Sequence, residues 1–204
     1  PIVVQQLAEQ GLNEDTQASK QCEISVLFSD IRGFTSMSEK ASAAEIMALL
    51  NAYFTRQVGV IFKNHGTLDK FIGDAIMAFW GAPLADERHA INAVSAALDM
   101  VDELEHFRAE HNLSEFDVGI GIHSGPAVVG MLGCDQRLEY TAIGDTVNLG
   151  SRLEGVTKGI ARILVSQSTR DLCGDQFDFI PHGACTVKGR EEPVNLYEPR
   201  RKAP

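Results

Sequence analysis

The sequence predicts an α+β domain whose strands and helices follow the order β-α-β-β-α-β. Two long segments carry apolar residues at the three- and four-residue spacing of an amphipathic helix. Short apolar runs of strand length flank each of these segments, and the two middle runs are separated by a single pair of residues. This is the order of a ferredoxin-like split unit.

The first half of the chain supplies a strand, a helix and a hairpin. Residues 23–29 alternate polar and apolar side chains before becoming continuously apolar, which indicates a strand that enters a core. Residues 43–64 have the spacing of an amphipathic helix. The runs Thr67–Ile72 and Ala75–Trp80 are joined by two residues beginning with glycine, which is typical of a tight hairpin.

The second half completes the unit and adds a C-terminal αβ extension. A helix is predicted over residues 86–110 and a buried strand over 116–124. Beyond them we expect an apolar stretch at 127–132, a strand at 138–143, a helix at 146–154 capped by Asp145, a strand at 162–165, a helix at 168–173, and strands at 177–188 and 194–198. These elements are expected to extend the same sheet.

The length fits one domain with a small appendage. The chain has 204 residues, 44% of them hydrophobic, against a usual domain size of roughly 100–200 residues. The first 20 residues contain few side chains large enough for a core, and the chain begins without a methionine. We therefore expect residues 1–20 to be a linker from a longer protein and residues 21–204 to form the domain.

The net charge and the cysteine content limit which binding partners and which cellular compartment are expected. A formal net charge of -10 argues against nucleic-acid binding by bulk electrostatics, because such binding needs many cations. No uninterrupted apolar window reaches about 18 residues, so no membrane contact by this chain itself is expected. Four widely spaced cysteines indicate a reducing, cytoplasmic location. A regulatory or membrane region elsewhere in a full-length protein stays open.

Two aspartates are brought together by this topology. Asp30 ends the first strand and Asp74 begins the third, and these two strands are antiparallel neighbours in the predicted sheet. Two adjacent carboxylates suit Mg²⁺ or Mn²⁺, which take further ligands from water and substrate phosphates. A two-metal phosphoryl-transfer centre is the functional interpretation. Taken singly, each aspartate is more simply explained as a turn or loop residue.

A glycine-containing turn follows the first of these aspartates. Residues 31–35 read Ile-Arg-Gly-Phe-Thr and lead towards a helix. Backbone N–H groups at such a turn can bind phosphate oxygens. Gly33 alone is also compatible with an ordinary turn.

Five motifs carry a resemblance to a known family: FSDIRGFT at residues 28–35, DKFIGDAIMAFWG at 69–81, GIHSGPAVVG at 121–130, YTAIGDTVNLGSRLE at 140–154 and TVKG at 186–189. In this order they resemble the class III adenylyl cyclase catalytic domain, from about Cys22 to Tyr197. The resemblance implies the class III nucleotidyl cyclase fold and conversion of ATP to 3′,5′-cyclic AMP and pyrophosphate. It also implies a homodimer whose composite sites use both chains.

The resemblance implies a metal site and an adenine site. Asp30, Asp74 and the carbonyl of Ile31 correspond to ligands of two Mg²⁺ or Mn²⁺ ions per site. Lys70 corresponds to the adenine-reading lysine, and Thr141 to its partner, which is aspartate in many relatives and threonine in a bacterial subgroup. A lysine ammonium only donates, which suits adenine N1. A threonine hydroxyl donates or accepts, so some use of GTP stays open.

The remaining implied residues handle ribose and phosphates. Asn148 corresponds to a ribose-orienting residue, and Arg152, four residues later on the same helix face, to the group that stabilises charge at the α-phosphate. Lys188 corresponds to a lysine for the terminal phosphates, and Gly33, Phe34 and Thr35 to the phosphate-binding turn. The aspartates act with the basic residues of the partner chain.

Two other readings are open on the residues. One is a different nucleotidyl chemistry on the same fold, such as a polymerase palm or a diguanylate cyclase, but the acidic charge opposes the first and the lack of a GGDEF-like sequence opposes the second. The other is a non-catalytic pseudo-cyclase that senses nucleotide or only dimerises. Retention of both sets of site residues speaks against that reading. Product analysis with Mg-ATP separates all of them.

Overall fold

The computed structural model describes residues 19–34, 39, 41–134, 136–187 and 192–203. Within these residues the strands are β1 (Lys20–Arg32), β2 (Thr67–Ile72), β3 (Ala75–Trp80), β4 (Asp117–Cys134), β5 (Arg137–Ile143), β6 (Ile163–Ser166), β7 (Phe177–Cys185) and β8 (Val194–Arg201). The helices are α1 (Ala43–Lys63), α2 (His89–His111), α3 (Asp145–Gly155) and α4 (Gln167–Cys173). No described helix has the length and apolar character needed to cross a membrane.

The strands form one sheet with β1 near its centre. The order is β2-β3-β1-β4-β6-β8-β7, and β5 pairs with β4 outside this path. β1 is antiparallel to both of its neighbours, β3 and β4, and β4 pairs with it from Lys20 to Arg32. The predicted β-α-β-β-α-β unit is confirmed. The expectation that the C-terminal strands extend the same sheet is confirmed as well.

The two faces of β1 enter two separate apolar clusters. Leu27 and Ile31 belong to the cluster formed with α1 and α2, whereas Val26 and Phe28 belong to a cluster on the opposite face. Alternation of side chains along a strand explains this division. Because it is buried on both faces and paired on both edges, β1 is a fixed platform for the residues at its end.

Helix α1 is well specified by its sequence. The Ser42 side chain accepts a hydrogen bond from the Glu45 backbone N–H, and the Glu45 carboxylate accepts one from the Ser42 backbone N–H, which is a capping box. Its apolar face carries Tyr53, which packs edge-on against Phe107 of α2 and Phe116. The predicted helix over 43–64 therefore lies where expected.

Helix α3 lies unusually close to the sheet. A Cβ added at Gly121 of β4 would come within 2.1 Å of the Glu154 backbone nitrogen, and one added at Gly150 of α3 within 2.7 Å of the Val26 side chain. Glycines on both elements therefore permit the close contact. This contact places α3 against β4 and β1.

Several predicted boundaries are wrong. The first strand is longer than 23–29, and its continuation to Arg32 takes Ile31 out of the predicted turn. The strand at 116–124 and the apolar stretch at 127–132 form one continuous strand, β4. Of the predicted linker, residues 1–18 lie outside the described residues, whereas Lys20 already belongs to β1.

Two helix starts also differ from the prediction. Helix α2 begins at His89 rather than at residue 86. Asp145 is the first residue of α3 and not its cap, since the cap is Gly144 and no side chain caps that end. Gly144 has φ 143, a backbone conformation that favours glycine. Strand β7 ends at Cys185, before the predicted limit of 188.

Candidate active site

The structure places Asp30 and Asp74 side by side. Pairing of Ser29 with Ile76 brings the end of β1 next to the two-residue turn that contains Asp74. The Asp74 carboxylate is near enough to act directly on the ionisation of Asp30. Burial and then the negative charge of Asp74 raise the pKa of Asp30. The predicted adjacency is confirmed, and such a pair favours binding of a proton or a cation.

The donor set around this pair suits a hydrated cation. Among the described residues, no group of three or more histidine, cysteine, aspartate or glutamate side chains is placed to hold a metal ion. A cation on this pair would take its other ligands from backbone, water or substrate, as Mg²⁺ commonly does. Ile31 is buried within β1. Its carbonyl as a further ligand stays a prediction.

The predicted phosphate turn is only partly described. Gly33 has φ 70 and is exposed, with open space around its Cα. Phe34 packs against the cluster between the sheet and α1 and α2. Thr35 lies outside the described residues, as does Lys188. The roles given to these four residues stay predictions.

Asn148 and Arg152 lie one turn apart on α3, as predicted. Asn148 is exposed and Arg152 is half-buried. Within the described part of the chain, neither side chain makes a hydrogen bond or an ion pair. An arginine without a carboxylate partner is notable in a protein of net charge -10. No side chain in the described part of the structure competes with an anionic ligand for its guanidinium.

Lys70 and Thr141 meet at a carboxylate that the sequence did not single out. The Thr141 hydroxyl donates to Asp69 Oδ2 at 2.6 Å, and the Ala142 backbone N–H donates to the same oxygen at 3.3 Å. Lys70 Nζ lies 3.5 Å from Asp69 Oδ1 and 2.8 Å from Glu139 Oε2. The predicted pair is thus brought together by Asp69, and Glu139 adds a second acidic contact.

A bulge explains why this cluster was missed. Neighbouring residues of a regular strand point to opposite faces, so Asp69 and Lys70 are not expected to meet the same partner. The pairing of β2 with β3 shifts register between Leu68 and Lys70. This irregularity interrupts the regular alternation. The only sequence feature that pointed to this cluster was the placement of Asp69 directly before Lys70.

The ionisation of this cluster follows from its contacts. Burial raises the pKa of Asp69, although its hydrogen bond from Thr141 and the charge of Lys70 act in the opposite direction. The hydrogen bond to Glu139 raises the pKa of Lys70. The same contact lowers the pKa of Glu139, which also pairs with Arg137. The lysine is therefore held in its charged form.

A third carboxyl group approaches the aspartate pair from α3. Burial, followed by the charge of Asp30, raises the pKa of Glu154 to about 7, and Arg32 acts against this shift. Glu154 ends the fourth motif, but no role was predicted for it. Glu154 and Arg152 both belong to α3. The helix that carries the arginine therefore also lies close to the aspartates of its own chain.

His123 has a structural explanation in its contacts with β6 and α4. Its Nδ1 lies 2.7 Å from the Ser166 hydroxyl, and Ser168 donates to the Ser124 carbonyl beside it. No catalytic role is needed for this imidazole.

Comparisons with known proteins agree with these features. A family model described as "Adenylate and Guanylate cyclase catalytic domain" matches residues 16–197. The chain is 42% identical over 180 residues to "Adenylate cyclase 1" of Rhizobium meliloti, covering 86% of this chain and 27% of that protein. It is 40% identical over 206 residues to the terminal-differentiation specific adenylate cyclase of Dictyostelium discoideum, covering 97% and 10%. The chain thus spans about a quarter or less of these relatives.

Solved structures of two specificities share this fold. The adenylyl cyclase CyaB from P. aeruginosa superposes with a TM-score of 0.86 and 35% identity, covering 91% of this chain and 97% of that one. The guanylyl cyclase Cya2 also gives a TM-score of 0.86, at 33% identity, covering 91% and 96%. Overall shape therefore does not distinguish the two bases, and the side chains at the base site must do so.

Proposed function

The chain belongs to the adenylate and guanylate cyclase catalytic domain family, and we propose that it converts ATP to 3′,5′-cyclic AMP and pyrophosphate at composite sites of a homodimer. The adjacency of Asp30 and Asp74, which the pairing of β1 with β3 produces, carries the proposal. Two carboxylates forced together need a positive partner, and metal-bound triphosphate is the substrate form that supplies one.

The aspartate pair fits divalent cations. Asp30 and Asp74 would hold two Mg²⁺ or Mn²⁺ ions, with the Ile31 carbonyl as a further ligand. When bound, such ions acidify the attacking ribose 3′-hydroxyl and stabilise negative charge at the α-phosphate. Burial and then the charge of Asp74 raise the pKa of Asp30, which supports the fit because a bound cation stabilises the ionised pair against both effects.

The groups on α3 act on ribose and α-phosphate. The guanidinium of Arg152, which lacks a partner among the described residues, would stabilise the negative charge that grows on the α-phosphate during attack. A fixed donor of this kind is typically worth about 3–4 kcal/mol of barrier. Asn148, one turn earlier, orients the ribose hydroxyl. Lys188, together with the turn of Gly33, Phe34 and Thr35, would bind the remaining phosphates.

The base site favours adenine. Lys70 is held as a charged donor, which matches the acceptor N1 of adenine and opposes the N1–H of guanine. A mispaired buried donor costs roughly 1–3 kcal/mol. This contact supports ATP as the substrate in a family whose members include guanylyl cyclases.

Exposed apolar side chains beside the base site support the proposal that a second copy of the chain binds there. Phe71 and Ile72 at the end of β2 are 45% and 52% exposed, and Leu138 and Ile143 on β5 are 57% and 48% exposed. Apolar side chains concentrated around a functional site commonly mark an interface. We infer that the partner chain covers them and brings its aspartate pair to the Lys70 and Arg152 of the first chain.

Mixing of two inactive variants tests this function. Asp30→Ala and Arg152→Ala are each expected to abolish cyclic AMP formation from ATP with Mg²⁺ or Mn²⁺. An equimolar mixture should regain partial turnover, because each mixed dimer keeps one intact composite site. The matched controls are Asp175→Ala and Arg88→Ala, since both residues are exposed and lie in other parts of the fold.

Each result has a definite meaning. Failure of the mixture to recover activity would contradict shared sites, and specific activity that stays constant on dilution would contradict the dimer. Predominant formation of cyclic GMP would refute the base assignment. A parental protein that makes neither cyclic nucleotide with either metal would refute the enzymatic function.

A further inference from the structure

Asp69 is a fully buried carboxylate at the base site. Its side chain has 0% exposure, although Lys70 beside it is 34% exposed. Its Oδ2 accepts the Thr141 hydroxyl at 2.6 Å and the Ala142 N–H at 3.3 Å. Within the described residues its Oδ1 has no hydrogen-bond partner, and the Lys70 ammonium lies 3.5 Å away.

These contacts fix the direction of the hydrogen bond from Thr141. The Ala142 N–H and the Lys70 ammonium can only donate, so both stabilise the acceptor form of the Asp69 carboxylate. A threonine hydroxyl has one proton and two lone pairs. Because the proton of Thr141 points at Asp69, only its lone pairs face any other ligand.

We propose that Asp69 is a positioning residue that makes Thr141 an obligate hydrogen-bond acceptor and thereby selects adenine over guanine. This inference rests on the proposed function. The reading edge of adenine offers an acceptor at N1 and a donor at the 6-amino group, whereas guanine offers a donor at N1 and an acceptor at O6. Lys70 as donor and Thr141 as acceptor match adenine at both positions and oppose guanine at both.

A purely structural role explains Asp69 less well. Burial of a carboxylate with one oxygen lacking a hydrogen bond is costly, and an amide would satisfy Thr141 and Ala142 without that cost. The carboxylate differs from other polar side chains in having no proton to donate when ionised. At this position the oxygen that faces Thr141 also accepts from the Ala142 N–H, so it stays an acceptor and fixes the direction of the threonine proton.

The test compares catalytic efficiency with ATP and with GTP for the full chain and a set of variants. Asp69→Ala frees the Thr141 proton to turn towards O6 of guanine, so the ratio of kcat/KM for ATP to that for GTP should fall about tenfold. Asp69→Ser, which is too short to accept from Thr141 but keeps a polar group, should lower the ratio similarly. Asp69→Asn should keep the parental ratio, because the Ala142 N–H holds the amide oxygen towards Thr141.

A double-mutant cycle separates this role from simple damage. Thr141→Val removes the hydroxyl and should lower the ratio as much as Asp69→Ala does. The combined variant should lower it no further, since Asp69 acts only through Thr141. Thermal unfolding of each variant identifies those that fold, and Asp69→Ser carries the test if Asp69→Ala is unstable.

Three outcomes overturn the inference: an unchanged ratio in Asp69→Ser, equal losses with both nucleotides, or additive effects in the double variant. These results are distinct from failure of the proposed function. A parental chain that forms cyclic AMP while Asp69 variants keep its base preference refutes only the role of Asp69. A parental chain that forms no cyclic nucleotide refutes the function on which the inference depends.

Discussion

Replacement of Gly121 by alanine tests whether the position of α3 controls the chemistry. An added Cβ would lie 2.1 Å from the Glu154 backbone nitrogen and 2.7 Å from the Glu154 Cα and the Leu153 carbonyl carbon. These are backbone atoms, so no side-chain rotation relieves the overlap. The helix that carries Asn148 and Arg152 has to move away from β4.

The size of the effect follows from this geometry. Carbon atoms in ordinary contact are about 3.5–4.0 Å apart, so α3 must retreat by about 1 Å or more. Overpacking of this kind typically costs about 1–3 kcal/mol of unfolding free energy, and we expect the upper part of this range. A displacement of about 1 Å at a reacting group can reduce turnover about 100-fold. Stability and activity should therefore fall together.

Two other glycines provide graded controls. Gly119→Ala meets the Thr157 hydroxyl at 2.2 Å and the Glu154 carboxylate at 2.9 Å, which are side-chain atoms that can turn aside, so a smaller loss is expected. Gly59→Ala, in the middle of α1, meets nothing within 4 Å and should stabilise the protein by about 0.5–1 kcal/mol.

Urea unfolding and cyclic AMP production are measured on the same preparations of these three variants. Parental stability and turnover in Gly121→Ala would refute the close packing of α3 on β4. A destabilised variant with parental turnover would instead show that the chemistry does not depend on the position of this helix.

Two further predictions concern the carboxyl groups near the sheet centre. Burial and the nearby aspartates raise the pKa of Glu154 from its ordinary value of 4.5 to about 7. Between these two pH values the folded protein keeps a proton that the unfolded chain has lost. The free energy of unfolding therefore declines as the pH rises through this window. Glu154→Gln should flatten that decline in thermal melts. At pH 8 it should raise the free energy of unfolding by about 1–2 kcal/mol, a value that allows for screening of a half-buried group. An unaltered pH profile would contradict the raised pKa of Glu154. Asp30→Asn should raise Tm in the absence of divalent ions, because it removes the repulsion with Asp74. Mg²⁺ should raise the Tm of the parental protein but not that of the variant. Equal responses of the two proteins to Mg²⁺ would show that the cation binds elsewhere.

Local signals predicted the hairpin well, but the continuity of β4 depends on tertiary pairing. Pro126 reads as a break because proline has no N–H to donate. In the structure it lies opposite Glu23 of β1, beyond the β6 pairing that ends at Ile122 and before the β5 pairing that begins at Val128. Because no described strand pairs with the other edge of β4 at Pro126, the missing donor costs little and the strand continues through the proline.

The site was predictable where topology alone decides it. The adjacency of Asp30 and Asp74 follows from the order of strands. Helical spacing predicts only that Asn148 and Arg152 share a helix face, and their roles are implied by the resemblance to the cyclase family. Asp69 depends on a bulge in β2 and on the approach of β5, which are separated from each other by some seventy residues of sequence. The raised pKa of Glu154 depends on burial, which no local pattern encodes.

The strand that carries Asp30 pairs with β4 along its whole length and with β3 as far as Ser29, and apolar clusters cover both of its faces, so the aspartate has little freedom to move. A signal that switches the enzyme on or off would find this part of the molecule hard to adjust. We expect control to work instead through the distance and angle between the two subunits, while the residues that each chain contributes to the site keep their arrangement.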